Sequence, residues 1–504
     1  MAGDRTTELV AILTQAKLVR VNRATQVVEP WLAESWTSDE NGRRYTLKLR
    51  RGVTFSDGMP FTADDVAFTF AAVYDKKSDC VLADSMTIGG KPIDVAVVDP
   101  TTVMLTFPIP FGPGVRILDN LPILSKRKLD AALKAGTFAK AWGTSTPPSE
   151  MAGLGPFVLR EYAPGQRLVF DRNPHYWRTS ASGVALPYLD RVTVELVPDQ
   201  NAEMLRLDAG QLDVMNEDLT PEAYAPMKQA ARDGRAQLVD VGTAYDADSF
   251  WFNLKPGAYA GDPRASWLQR DELRHAISLA VDRKGFIDAV FLGAADAAYG
   301  PVSPSNKTWY WTGTPAIPHD IERARALLAS IHVPADARFS ILVQKGRPRL
   351  ERGAAFVRDE LRKIGLTVDV VALEGNAVVQ RVVSGQHDAA YFVVAVTDTD
   401  PVNQLDFWQS SGPFHVWNMS QPKPTTDWEQ RVDALMQQQL TTVDQAQRKR
   451  AFDEVQQIFI AHEPVLYFAR RRLYVAVSSR ITAMEPAIDT YPVMWAPDEI
   501  AVRQ

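Results

Sequence analysis

Between Val393 and Trp408 the chain reads VVAVTDTDPVNQLDFW. An apolar run of this kind is the pattern of a buried strand. It nevertheless ends in two carboxylates, Asp398 and Asp400, followed by Pro401. Carboxylates at a strand tip can hold a cationic or hydrogen-bonding group of a polar small molecule, and the charge strengthens each such bond. Two upstream strand patterns also run into charge. ARFSILVQ leads into Lys345-Gly346-Arg347, and LTVDVVAL leads into Glu374-Gly375-Asn376.

These tips become one site only if their strands are neighbours. The alternation from Arg338 to Val396 predicts that they are: strand, helix (LERGAAFVRDELRKIG), strand, helix (NAVVQRVVSG), strand (HDAAYFVVAV). In the first helix Ala354, Val357, Leu361 and Ile364 share one face, and Gly365 stands where a helix terminates. Such βαβαβ order predicts an α/β fold with a doubly wound, largely parallel sheet. In open sheets of that kind, ligands sit outside the carboxyl ends of the strands.

Earlier segments read as short strands (RRYTLKLRRGVTF, KPIDVAVVD, TTVMLTF) around a helix begun by Thr62 and carrying Val66, Phe68, Phe70 and Val73. GPFVLREYAPGQRLVFDRN is a hairpin turning at Ala163-Pro164-Gly165, and RVTVELVP is a further strand. NAEMLRLDAGQLDVM reads as a helix, Gly210, then a strand. RDELRHAISLAVDRKGFIDAVF sets Leu273, Ala276, Ile277, Ala280 and Val281 on one helical face.

The bulk properties exclude several functions. At 504 residues the chain exceeds one hydrophobic core and should form two or three domains. Net charge is −6, and the basic runs Lys126-Arg127-Lys128 and Arg470-Arg471-Arg472 read as solvated surface. Nucleic acid is therefore not an expected partner. Cys80 stands alone, which excludes an internal disulfide or a Cys-rich zinc site. No run of about 18 apolar residues is present to span a membrane. The amino end, MAGDRTTELV, has no basic n-region or apolar h-region, so it fits a cytosolic chain or one lacking its export leader.

No P-loop, dinucleotide fingerprint or nucleophile elbow occurs. Ser125-Lys126-Arg127-Lys128 matches S-x-x-K, but no K-T-G follows it. The seven histidines have no ligand spacing. The expectation is a protein with no catalytic residues, metal or cofactor.

PWLAESWTSDENGRRYTLKLRRGVTFSDGMPFTADDVAFTF at 30–70 closely resembles the most recognisable stretch of the family 5 extracellular solute-binding proteins, the dipeptide and oligopeptide receptors of ABC importers. GLGPFVLREYAPGQRLVFDRNPHYW (153–177), FWFNLKPG (250–257), RDELRHAISLAVDRKGFIDAV (270–290) and GPVSPS (300–305) extend the resemblance along the whole chain. It implies a bilobed fold of the type II periplasmic-binding-protein kind with an extra subdomain. Lobe I would comprise 1–36, 170–248 and 472–504, with a subdomain inserted at 37–169. Lobe II would span 249–471, with hinges near Tyr245 and Arg470.

The implied function is a monomeric periplasmic or membrane-associated extracellular receptor. It would enclose a short peptide between its lobes and deliver it to an ABC permease. The family's pattern W-x-x-D-x-x-[DE]-P matches Ala395-Val396-Thr397-Asp398-Thr399-Asp400-Pro401 with one residue fewer and no Trp. Asp398 is then the candidate for an α-ammonium. Asp400 matches the acid before the proline, and Val396 and Thr397 border the site. Lys345 and Arg347 fall where peptide binders place a cation for the ligand's carboxylate. Gln15 and Lys17 replace the family's usual tyrosine–acid–glycine segment at the site's edge. Tyr245 and Trp251 are hinge-side contacts, and Trp408 and Trp417 would form a wall. The altered segments also suit a non-peptide ligand such as an oligosaccharide, an opine or chelated nickel. A cell-wall peptide hydrolase is the remote alternative.

Overall fold

The computed structural model describes residues 5–39, 41–396 and 398–503. They form two compact units, Met1–Val241 with Thr441–Val443 and Tyr474–Gln504, and Gly242–Leu440 with Asp444–Leu473.

In the first unit, strands Ala33–Ser38, Arg44–Leu49, Thr102–Thr106 and Asp94–Asp99 make an antiparallel sheet in that order. Tyr45, Leu47 and Leu49 alternate inward and are buried. Helix Ala63–Tyr74 starts at Thr62, whose N–H donates to Asp65 Oδ2 at 2.9 Å. The other oxygen of Asp65 accepts from Lys126 N at 2.9 Å, so one buried carboxylate joins the starts of two helices. The Lys126-Arg127-Lys128 triplet meets Asp64 and Asp57, and Ser125 is buried, which leaves no exposed nucleophile there.

The predicted hairpin pairs Phe157–Ala163 with Arg167–Arg172, and Arg191–Glu195 adds a third strand. Gly165 turns it at φ +71°, a region that costs glycine little. Helix Gln200–Asp208 forms as expected, but the strand expected after Gly210 does not. Bends at Gln211, Asp213 and Glu217 reduce it to a single bridge between Val214 and Val477.

In the second unit the elements that carry the site are, in order, β1 (Ala247–Phe252), α1 (Asp271–Ala280), α2 (Arg283–Phe291), β2 (Ala295–Ala297), β3 (Arg338–Gln344), α3 (Pro348–Arg362), β4 (Thr367–Leu373), α4 (Gly375–Val383), β5 (Ala389–Val394), α5 (Asp427–Thr441), α6 (Gln445–His462), β6 (Val465–Tyr467) and β7 (Ala469–Ser478). The helical face predicted over 273–281 breaks after Ala280, because Asp282 accepts from Lys284 N at 3.0 Å and begins α2.

The sheet has strand order β4-β3-β5-β1-β6. β3 is parallel to both β4 and β5, and β1 is antiparallel to β5 and β6. The chain therefore leaves β3 toward one side and comes back across it to β5 on the other. Val343 lies beside both Ala372 and Tyr391, so the three carboxyl ends adjoin as predicted. The amino end of β1 reaches the same edge, where Ala247 pairs with Val394.

Successive residues face opposite sides of this sheet. Phe250, Phe252, Ile341, Val343 and Tyr391 pack under α1, α2 and α3. Trp251, Leu342 and Ala390 face the other core, which also holds Trp309, Trp408, Trp417, Phe452 and Phe459. Trp408 and Trp417, expected to form a wall of the cleft, are both buried, Trp408 with one side on the recess at the sheet edge and Trp417 in the core. Both follow the acidic loop in sequence, but Trp408 packs edge-on against Phe407 and Phe452, with centroids 4.9 and 5.2 Å away. Trp417 packs on Phe407 at 5.6 Å and donates Nε1–H to Glu429 at 3.3 Å.

Glu429 is the polar centre of that core. It is the third residue of α5 and takes part in a capping box with Thr426, whose N–H donates to Glu429 Oε2 at 3.1 Å while Glu429 N donates to Thr426 Oγ1 at 3.2 Å. Gln421 Nε2 donates to Oε1 at 3.0 Å, and a His415 ring nitrogen lies 3.2 Å from the same oxygen. Burial by itself would raise this carboxyl's pKa. Hydrogen bonds from His415, Gln421 and Thr426 outweigh burial and bring it down to about 2. A carboxyl depressed in the fold stabilises above its unfolded value near 4.5, and that stabilisation fades as pH falls toward 2. Glu429→Gln should therefore lower the unfolding temperature at pH 7, with about 2–3 kcal/mol lost. The gap from the parent protein should shrink at pH 3. Scanning calorimetry at both pH values checks this; an equal gap at each would show that the charge of Glu429 is not what stabilises the core.

Candidate functional site

The loop that follows β5 is held by its own acids. Asp398 Oδ2 accepts from Asn403 Nδ2 at 2.6 Å, and Oδ1 accepts from Asp400 N at 3.2 Å and from Thr399 Oγ1 at 3.3 Å. Asp400 is 2% exposed and caps the short turn Pro401–Gln404 through Val402 N at 3.0 Å. Arg448 Nη2 reaches both Asp400 oxygens, at 2.7 and 2.9 Å, while its guanidinium lies 4.8 Å from the Trp309 ring centre. Asn306 Nδ2 donates to Thr399 O at 2.8 Å and fixes the loop from outside. Asp400, named as a ligand contact, is thus a buried structural acid already paired. Asp398 is half-buried with both oxygens in use. Thr397 lies outside the described residues.

Lys345 and Arg347 are exposed at the end of β3. Lys345 Nζ stands 3.9 Å from Glu374 Oε1, both largely in solvent, where such a pair contributes little. The inward cation of this edge is Arg349. It ion-pairs with Asp248 of β1, whose second oxygen accepts from Tyr391 Oη at 3.0 Å. In the first unit, Lys17 lies 3.5 Å from Asp119, which Arg23 also meets at 2.8 Å. Gln15 is half-buried there, and its Oε1 has no partner among the described residues.

The sheet edge does hold a recess, entirely within the second unit. It lies where β5 ends and β1 begins, with Tyr245, Ser249, Val396, Gln404, Trp408 and Arg470 in its wall, is partly open to solvent, and has a volume of about 20 Å³. That volume suits one or two water-sized atoms. Of the residues named from sequence, Tyr245, Val396 and Trp408 meet here. Trp251 is buried in β1 and Trp417 in the core, so neither joins them.

Sequence reasoning passed over Ser249 and Gln404 and read Arg470 as surface. Arg470 is instead 2% exposed. Its Nη1 donates to Gly300 O at 3.0 Å and its Nη2 to Pro301 O at 2.7 Å, and the guanidinium lies 5.2 Å from the Tyr467 ring centre. Its neighbours in the triplet are also occupied: Arg471 lies 3.3 Å from Asp246 and Arg472 3.4 Å from Asp296. Strand alternation turns Arg470 inward, while Arg471 and Arg472 stay partly exposed beside their partner acids.

No group of three His, Cys, Asp or Glu residues among the described residues is arranged to hold a metal ion. No helix among them is long and apolar enough to cross a membrane.

The edge-of-sheet recess belongs to a fold with known relatives. The ABC transporter substrate-binding protein CtaP of Listeria monocytogenes superposes with a TM-score of 0.82 at 21% identity, over 100% of this chain and 96% of that one, which shows the shared fold. Heme-binding protein A of Haemophilus influenzae is 26% identical, covering 92% of this chain and 83% of that protein. The dipeptide-binding protein of Escherichia coli is also 26% identical, covering 85% of this chain and 82% of its own length. The family model for bacterial extracellular solute-binding proteins, family 5 Middle, matches residues 27–415. The chain belongs to the family 5 bacterial extracellular solute-binding proteins.

Proposed function

We propose that this protein captures a short peptide outside the cytoplasm, with its binding edge at the carboxyl ends of β3, β4 and β5, and hands it unchanged to an ABC permease. The observation that supports this reading is the recess at the edge of a doubly wound sheet, where such folds place ligands. Loop atoms beyond β5 offer backbone groups for peptide hydrogen bonds, and Asp398 is the half-buried acid of this loop that an ammonium would meet. Binding to the permease and a monomeric state are part of the same proposal. A second reading, a polar non-peptide solute, is favoured by Asp398 being engaged in its own loop and by Lys17 being paired with Asp119.

Two outcomes follow. Incubated with a library of di- and tripeptides, the protein should retain a subset in native mass spectrometry and release every member uncleaved. Fragments of library peptides would identify a hydrolase instead, and retention of a non-peptide mass alone would select the second reading. The two acids should also separate by readout. Asp398→Asn should weaken binding of amine-bearing peptides about tenfold in calorimetry, with the unfolding temperature unchanged within a few degrees. Asp400→Asn should act on stability, costing about 3–5 kcal/mol because it strands the buried Arg448. A variant at Asp400 with intact stability and lost affinity would reverse these assignments.

A further inference from the structure

The seam between α1 and the end of α6 holds a buried acid that the binding edge does not use. Glu463 follows the last turn of α6 in a left-handed conformation, φ 41° and ψ 51°, and its N–H donates to Phe459 O at 2.8 Å. That conformation is uncommon for a residue with a long side chain. Glu463 is 8% exposed. Its Oε1 accepts from Ser278 Oγ at 2.9 Å, and its Oε2 has no partner among the described residues. The arginines whose charge reaches it bond elsewhere. Arg283 donates Nη1 to Ser278 O at 2.8 Å and Nη2 to Ser278 Oγ at 3.0 Å. Arg274 donates Nη2 to His462 O at 2.8 Å and ion-pairs with Asp271. Asp271 in turn lies 2.6 Å from His462 Nδ1, and His275 Nε2 lies 3.0 Å from Ala461 O.

An ionised carboxylate buried with one hydrogen bond and no ion partner is costly, and the neutral acid removes that cost. Burial pushes the Glu463 carboxyl up to about 7, against the opposing pull of Ser278, Arg283 and Arg274, while Asp271 adds a like charge. We propose that Glu463 is a proton-operated latch within the second unit: neutral, it seats the end of α6 against α1; ionised, it loosens that seam. The entry to β6 lies directly behind it, since Pro464 follows and Val465 pairs with Trp251 of β1. An acid raised in the fold stabilises fully below its unfolded value near 4.5, and the contribution is lost as pH climbs through 7. The latch does not depend on which solute the sheet edge holds. The neighbouring His462–Asp271 pair is ionic only with the imidazole protonated, so a variant there serves as the control.

Hydrogen exchange on the full chain at pH 5 and pH 8, corrected for intrinsic rates, reads the seam through peptides covering 459–467. Protection there should fall about fiftyfold from pH 5 to pH 8. Glu463→Gln, which keeps an oxygen for Ser278 and cannot ionise, should hold equal protection at both. Ser278→Ala, which removes the one donor to the carboxylate, should deepen the fall, and His462→Gln should leave it in place. Equal protection of the parent protein at both pH values overturns the latch, as does a fall that persists in Glu463→Gln. A fall abolished by His462→Gln assigns the pH response to the Asp271 pair and overturns the role of Glu463. Where Glu463→Gln does not fold, Ser278→Ala decides: a fall it leaves unchanged overturns the latch.

Discussion

The Asp400–Arg448 pair is the constraint on which the loop at the sheet edge depends. Both partners are removed from water, and the arginine reaches both carboxylate oxygens. A pair in such surroundings adds little net stability, but removing one partner is expensive. That asymmetry fixes position: the loop after β5 cannot move away from α6 without stranding a charge. The turn Pro401–Gln404 follows from Asp400 as its cap. The turn in turn sets Gln404, Phe407 and Trp408 against the recess. An acid whose sequence position looked functional thus acts one step earlier, by holding the residues that line the space.

The sheet and its edge were legible in the sequence because the signals there are redundant. Three apolar runs, two helices with buried faces and a terminating Gly365 all agree, and β3, β4 and β5 appear as expected. The tryptophans were not legible. An aromatic in a loop-rich stretch carries no period, so Trp408 and Trp417 gave no sign of which way they pointed, and packing on Phe407 and Phe459 decided it. One available signal was overlooked: Thr426-Asp427-Trp428-Glu429 is a capping box, and it announces both the start of α5 and a carboxylate with many donors.

Arg470 shows a different limit. Counting charges reads three consecutive arginines as solvated, whereas a strand places neighbours on opposite faces. β7 begins directly after the buried Tyr467 and Phe468, and its second residue inherits their environment. Its neighbours find Asp246 and Asp296, both distant in sequence, and no pattern local to 470–472 could reveal those partners.

Acids and cations are held differently across this region. Asp400, Asp248 and Glu429 are each buried and paired with donors from the chain itself. Buried atoms without a partner among the described residues include the donors Arg470 Nε and Trp408 Nε1 and the acceptor Gln439 Oε1. Gly300 and Pro301 thus fix the guanidinium of Arg470 in place at the start of β7, where a strand residue without an acid of its own among the described residues is held by backbone carbonyls instead.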